Sequence, residues 1–368
     1  MSKVKSLSEV GKICIISLEN KRIIDFNVIS SVANGLASFG YYADKISRVA
    51  FNRADEIVRA LDDGNDNYDN VIVVLPARMK DTITDFFTAK LGGQFDGTGV
   101  LSAGDKHIFL TYSDGASRLK AEDIKDILDK KYGVRFDKAV IRCVGAPKKA
   151  LDAALSAGKK AFSDGDVFFN VSDSYGDTRI EIAYSSKTPK MALDDCVRGI
   201  VSGLDGYVYA LEDVTLAEQL VRLLKLRRMK VATAESFTGG GVGKRLVEIS
   251  GVSEVYFEGL NTYSNESKHG RLGVEEETLA RHGAVSAETA YQMAEGLIKT
   301  GNCTVAISTT GIAGPKSDNT QKPVGLAYIG VAVGENISVY KFNFKGDRRN
   351  ITETAINEAL FLTYKSLK

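Results

Sequence analysis

KVATAESFTGGGVGKR, residues 230–245, ends a short apolar run at a glutamate and a serine, then sets three consecutive glycines before a helical pattern. A strand that hands over to a helix through a glycine turn is the repeating step of an α/β sheet. Known glycine-rich loops do not fit here. A nucleotide P-loop needs GxxxxGK followed by Ser or Thr; Gly243 and Lys244 fit, but Thr238 stands at the first glycine and Arg245 at the final hydroxyl. GxGxxG starts with Gly239 and Gly241 and fails at Lys244. No GxSxG elbow exists, because Ser236 lies between Ala234 and Thr238. The glycines do permit close approach to the free N–H groups of a helix start, which suits a phosphate or an oxyanion. A helix merely capped by Ser236 or Thr238 fits the spacing equally well, and the two readings stay open.

The same alternation continues on both sides. Downstream, YFEGLNTYS, VAISTT, GLAYIGVAV and ISVYKFNF read as strands, SAETAYQMAEGLIKTG as a helix capped by Ser286, and NITETAINEALFLTYKSL as an amphipathic closing helix. Upstream, TLAEQLVRLLKLRR has helical spacing. In the first third, KICIIS (12–17) and NVIVVLP (70–76) are buried-strand runs separated by helical patterns, which predicts a largely parallel sheet. The pattern fades through GGQFDGTGVLSAGDK, then resumes with HIFLTY (107–112) and a helix over about 120–131. From about Val134 the texture becomes α+β, with KAVIRCVG, KKALDAALSAGKKA, the alternating TRIEIAY after the turn SDSYGD, MALDDCVRGIVSGL and YVYALE. The expected fold is therefore α/β and multidomain. Its parts are an α/β domain over 1–134, a small α+β domain over 135–212 and a second α/β domain over 213–368.

The 368 residues, 44% hydrophobic and 26% charged with a formal net charge of +1, describe an ordinary globular protein without the basic excess of a typical nucleic-acid binder. MSKVKSLSEVGK holds no apolar signal core and no run is long enough to span a bilayer, so a cytoplasmic protein without a membrane partner is expected. Cys14, Cys143, Cys196 and Cys303 sit apart among apolar neighbours and read as buried free thiols. His107, His269 and His282 form no ligand pattern, so neither a metal nor a cofactor is expected.

For Ser236 to act as a nucleophile some base must take its proton, and no histidine lies near it. A lysine with a depressed pKa would serve; the candidate is Lys268 in NTYSNESKHG, although a helix lysine is by default solvated. AESFTGG, NTYSNESK, HGAVS, TTGIAGP, KPVG and GDR, in this order over 234–348, closely resemble the C-terminal domain of the CinA (competence/damage-inducible) family. That resemblance implies an α/β/α sandwich and a nicotinamide mononucleotide deamidase. Such an enzyme converts its substrate to nicotinate mononucleotide and ammonia without a metal. It implies Ser236 as nucleophile, Lys268 as base and Tyr263 as an orienting group. Thr238, Gly239 and Gly240 would face the oxyanion and substrate, Thr310 and Gly311 the opposite wall, and Arg348 the phosphate. The alternative expectation for Arg348 is a pairing with Asp347 in its own loop. A homodimer is also implied. Two departures are Phe237, where the family has Cys, and Thr352, near which a second arginine usually falls, with Arg349 the nearest substitute.

The upstream residues resemble, loosely, a molybdopterin-binding (MoaB-like) domain and a KH-like domain. The phosphate-handling glycines of the former are replaced by SLENKRIIDFNVIS and VVLPARMKDTITDFF, leaving Asp25, Asp81 and Asp85. A degenerate scaffold is expected rather than a nucleotide (ADP-ribose) pyrophosphatase with a divalent ion on Asp81 and Asp85. A third reading, a competence or DNA-damage interaction module, lacks a GxxG clamp in 135–213.

Overall fold

Strand β1 (Ile13–Glu19) shows why its sequence reads as an unbroken apolar run: Ile13 and Ile15 enter one hydrophobic cluster, and Cys14, Ile16 and Leu18 enter another on the opposite face. The computed structural model describes residues 11–19, 26–114, 119–162, 167–317 and 322–368. Beyond β1, the first sheet uses β2 (Lys45–Ala50), β3 (Asn70–Leu75), β4 (Val100–Ala103) and β5 (Lys106–Tyr112), in the order β2-β1-β3-β5-β4. Helices α1 (Phe26–Ser38) and α4 (Ala121–Tyr132) cover one face, and α2 (Ala54–Asn67) and α3 (Lys80–Leu91) the other. The pairings β1–β2, β1–β3 and β3–β5 are parallel, as the alternation predicts. The faded stretch 92–106 contains β4, which pairs antiparallel with β5; four residues between glycine turns are too few for the periodicity to register.

The middle of the chain supplies β6 (Phe136–Val144), α5 (Lys148–Lys159), β7 (Val167–Ser174), β8 (Asp177–Ser185), α6 (Lys190–Gly203) and β9 (Val208–Ala210). Its sheet runs β7-β8-β6-β9. The SDSYGD turn joins β7 to β8 with positive φ at Tyr175 (55°) and Gly176 (83°), the conformation of a tight hairpin turn. By packing, the described residues fall into two units, one within 1–139, 160–170 and 181–195, the other within 140–159, 171–180 and 196–368.

The second unit holds the sheet β11-β10-β12-β13-β14. Its elements are α7 (Leu216–Arg227), β10 (Val231–Glu235), α8 (Gly241–Val247), β11 (Tyr256–Asn261), α9 (Asn265–Leu272), α10 (Glu276–His282), α11 (Ala287–Lys299), β12 (Val305–Gly311), β13 (Leu326–Val333), β14 (Asn336–Asn343) and α12 (Arg348–Ser366). β10 is parallel to β11 and β12, whereas β12, β13 and β14 are antiparallel. Val231 packs on one side with Leu220, Leu224, Leu246 and Leu360 from α7, α8 and α12. Ala232 and Ala234 pack on the other with Leu272, Met293 and Leu297 from α9 and α11. The result is the expected α/β/α sandwich, with Ser286 capping α11 through the N–H of Thr289 at 3.1 Å.

Two close approaches fix the helices around β10. Gly241 opens α8 against α12, where a Cβ would lie 2.3 Å from Ile356 Cδ1, and Arg245 ties the same helices through Glu353 (2.8 Å). Gly296 lets α11 meet the end of α9, since a Cβ there would lie 2.1 Å from the Leu272 carbonyl oxygen. A backbone carbonyl cannot swing aside. Gly296→Ala is expected to lower unfolding free energy by about 1–3 kcal/mol, checked by urea denaturation; unchanged stability would show that α9 and α11 are not held this tightly.

Candidate functional site at the end of β10

Alternation along β10 decides which side chain goes where. Glu235 continues the parity of Val231 and lies toward α8, while Ser236 continues that of Ala232 and Ala234 and lies toward α9. The Ser236 amide donates to the Thr309 carbonyl at 3.0 Å, which joins the turn to the end of β12. Strand order reverses at β10, with β11 to one side and β12 to the other. In parallel α/β sheets that reversal is where ligands bind, beyond the carboxyl ends of the strands.

Lys268 sits in the first turn of α9, whose start is capped by Ser264 accepting from the Ser267 amide at 3.1 Å. Helical side chains tilt toward the N-terminus, so its stem runs back over the residues that precede the helix. Its Nζ donates to the carbonyls of Thr262 (2.8 Å) and Tyr263 (3.1 Å) and to Ser236 Oγ (3.0 Å). The side chain has no exposed surface, and this burial lowers its pKa from 10.5 to about 8. The default reading of a solvated helix lysine is thus overturned: α9 turns Lys268 inward because the sandwich covers that face. Ser236 is itself 9% exposed. A carbonyl only accepts, so a neutral Lys268 keeps its two N–H groups on Thr262 and Tyr263 and turns its lone pair to the serine hydroxyl.

The remaining candidates divide into those near this pair and those held by the fold. The Tyr263 ring is 66% exposed and its carbonyl is bound to Lys268. Thr238 gives its hydroxyl to Glu235 (2.8 Å) and contacts Thr309 Oγ1 (2.6 Å), so its side chain is occupied. Gly239 and Gly240 adopt φ of 63° and 90°, which only glycine takes without strain. The Gly239 amide donates to the Ser236 carbonyl at 3.1 Å, whereas those of Phe237, Thr238 and Gly240 make no hydrogen bond among the described residues. Thr310, fully buried, donates to Ala284 O (2.6 Å), and Gly311 leaves no room for a Cβ, which would sit 2.9 Å from that of Ala327. Arg348 is exposed and donates to the Gly314 carbonyl at 2.8 Å, while Asp347 caps α12 instead of pairing with it.

Sequence reasoning missed Glu235 and Thr309. Of the two open readings, the helix cap by Ser236 or Thr238 does not form; the start of α8 is closed by the Glu235 carboxylate, which accepts from Val242 N (3.0 Å) and Gly243 N (2.8 Å). Glu235 stands six residues before the helix start, so no local capping pattern marked it.

Residues 213–367 match the family model described as the CinA C-terminal domain. A Clostridium beijerinckii protein named for competence-damage induction is 49% identical over 152 residues, 41% of this chain and 37% of that protein. One from Caldicellulosiruptor saccharolyticus, similarly named, is 39% identical over 229 residues, 62% of this chain and 56% of its own. Residues 213–367 are, by this match, a CinA C-terminal domain. The matched stretches span from about a third to just over half of those relatives' own lengths. A solved structure of a competence-damaged protein (CinA) superfamily protein from Klebsiella pneumoniae 700603 aligns at 30% identity over 41% of this chain and 95% of its own, with TM-score 0.41.

Within the CinA domain the departure Phe237 is 5% exposed and packs with Ala313, Ala327, Ile351 and Ala355, so its ring serves the core. Thr352 bonds the Arg348 and Arg349 carbonyls, and the Arg349 guanidinium lies 5.9 Å from the Tyr175 ring centroid. All four cysteines are free and buried, with thiol pKa values pushed up to about 11 by burial. In the first unit Asp81 and Asp85 lie exposed on α3; Asp25 lies outside the described residues. Among the described residues no three His, Cys, Asp or Glu side chains gather as a cation site, and no helix is long and apolar enough to cross a membrane.

The lysine makes the stability pH-dependent. Between about pH 8 and 10.5 the unfolded chain binds the Lys268 proton and the native state does not, so stability rises with pH across that window. Relative to Lys268→Met, the wild type is expected to gain up to roughly 3 kcal/mol over it, measured by urea unfolding at several pH values. A pH-independent difference would mean the amine is not desolvated.

Proposed function

We propose that the CinA domain is a Ser-Lys amidohydrolase acting on nicotinamide mononucleotide, with nicotinate mononucleotide and ammonia as products. The observation that carries this reading is the 3.0 Å contact between Ser236 Oγ and the fully buried Lys268 amine. Desolvation leaves a useful fraction of that amine neutral near pH 8. Neutral Lys268 takes the Ser236 proton as Oγ attacks the carboxamide carbon. The tetrahedral oxyanion draws on the free amides of the turn. On collapse, Lys268 returns the proton to the departing nitrogen, and ammonia leaves an acyl-Ser236. Water, deprotonated by Lys268, then attacks the acyl carbon; the bond to Ser236 Oγ breaks, Lys268 returns the proton to that oxygen, and the acid leaves and ionises to the carboxylate product.

In this reading the exposed Tyr263 ring borders the reacting centre and Arg348, beside the GIAGP loop, meets the nucleotide phosphate. Thr310 and Gly311 shape the β12 wall through their packing. A cytoplasmic homodimer with a degenerate MoaB-like domain over 1–134 and a KH-like domain over 135–212 completes the proposal.

The test is ammonia release from nicotinamide mononucleotide. Ser236→Ala and Lys268→Ala are each expected to lower kcat by about a thousandfold or more, and the wild-type rate should rise with pH about a midpoint near 8. No ammonia from the wild type refutes the activity. Full rates in both variants refute the residue roles, and loss of rate with a chelator would favour a metal mechanism.

A further inference from the structure

Glu235 is a carboxylate only 1% exposed, one residue before the nucleophile, and the proposed chemistry does not use it. Its Oε1 accepts from Gly243 N (2.8 Å), and its Oε2 accepts from Val242 N (3.0 Å) and the Thr238 hydroxyl (2.8 Å). Thr238 has one proton and gives it to Glu235, so in the 2.6 Å contact between the two threonines Thr309 is the donor. The backbone carbonyl of Glu235 accepts from Thr262 N at 2.9 Å, and Thr262 O in turn holds Lys268 Nζ. One residue therefore ties the ends of β10, β11 and β12 to the start of α8.

This arrangement settles what the opening amides of α8 do. Those of Val242 and Gly243 are taken by a carboxylate from inside the fold, which also complements the positive end of the helix. The amides left for a developing oxyanion are those of the preceding turn.

We propose that Glu235 is a positioning residue, which sets the turn 236–241 by closing the start of α8 from within and so places Ser236 Oγ against Lys268. The proposal rests on the Ser-Lys reading but not on the identity of the amide. Both carboxylate oxygens accept, so Glu235→Gln must set an NH2 group against Gly243 N–H, or against Val242 N–H and the Thr238 hydroxyl. The turn has to move to relieve that clash, and displacement of a nucleophile by about 1 Å costs on the order of a hundredfold in rate.

The experiment follows the sulfonylation of Ser236 by phenylmethylsulfonyl fluoride, read by intact mass, in wild type and Glu235→Gln across pH. It needs no nucleotide. The wild type is expected to label at Ser236 with a midpoint near pH 8. Glu235→Gln should label about tenfold to a hundredfold more slowly with the same midpoint, because Lys268 stays buried, and kcat for ammonia release should fall in step while KM holds within about twofold. A lower melting temperature with wild-type labelling per folded molecule would overturn the proposal, as would an unlabelled wild type. Should Glu235→Gln not fold, Thr238→Val removes one donor and leaves the α8 amides capped. Severalfold slower labelling then supports the proposal and a wild-type rate overturns it. A wild type that labels at Ser236 but releases no ammonia refutes the substrate alone.

Discussion

A buried lysine amine must place its N–H groups on acceptors, and Lys268 finds them on the carbonyls of Thr262 and Tyr263, just beyond β11. Much of the site follows from that constraint. The chain has to leave the sheet after Asn261 so that those carbonyls turn inward, and α9 has to begin at once so that a lysine in its first turn can reach back. Ser264 supplies the cap that starts it. The third direction around Nζ is left to Ser236, so the amine and the hydroxyl meet because the fold satisfies the other two.

A single step along β10 separates scaffold from chemistry. Glu235 points to the α8 side, where backbone amides and a threonine satisfy it, and Ser236 points to the α9 side, where the lysine lies. Shifting the register of β10 by one residue would turn each side chain to the opposite face, taking the carboxylate from the helix start and the hydroxyl from the amine. The parallel pairing on both flanks, Glu235 with Asn261 and with Thr309, holds that register.

Much of this was legible in the sequence. β-Branched runs, glycine turns and caps such as Ser286 predict the α/β alternation because those signals are local. Ser236 and Lys268 stood out only through ordered motifs, since nothing local to NTYSNESK says that a helix lysine is buried; that depends on α9 packing against the sheet and α11. Glu235 was passed over because its partners are backbone amides up to eight residues on, which carry no side-chain signature. Positive φ explains Gly239 and Gly240, and contact with Ile356 explains Gly241. β4 was invisible for a different reason, namely that four residues give periodicity almost nothing to repeat.

The last helix bears on how the protein comes to be made. Gly241 fits only against Ile356, Phe237 is enclosed by Ile351 and Ala355, and Arg245 is held by Glu353, all on α12. The turn that carries Ser236 thus leans on residues that leave the ribosome well after it. Until α12 docks, the growing chain carries an uncovered aromatic ring beside an unbraced serine, so the pairing of Ser236 with Lys268 can mature only as the domain closes on α12.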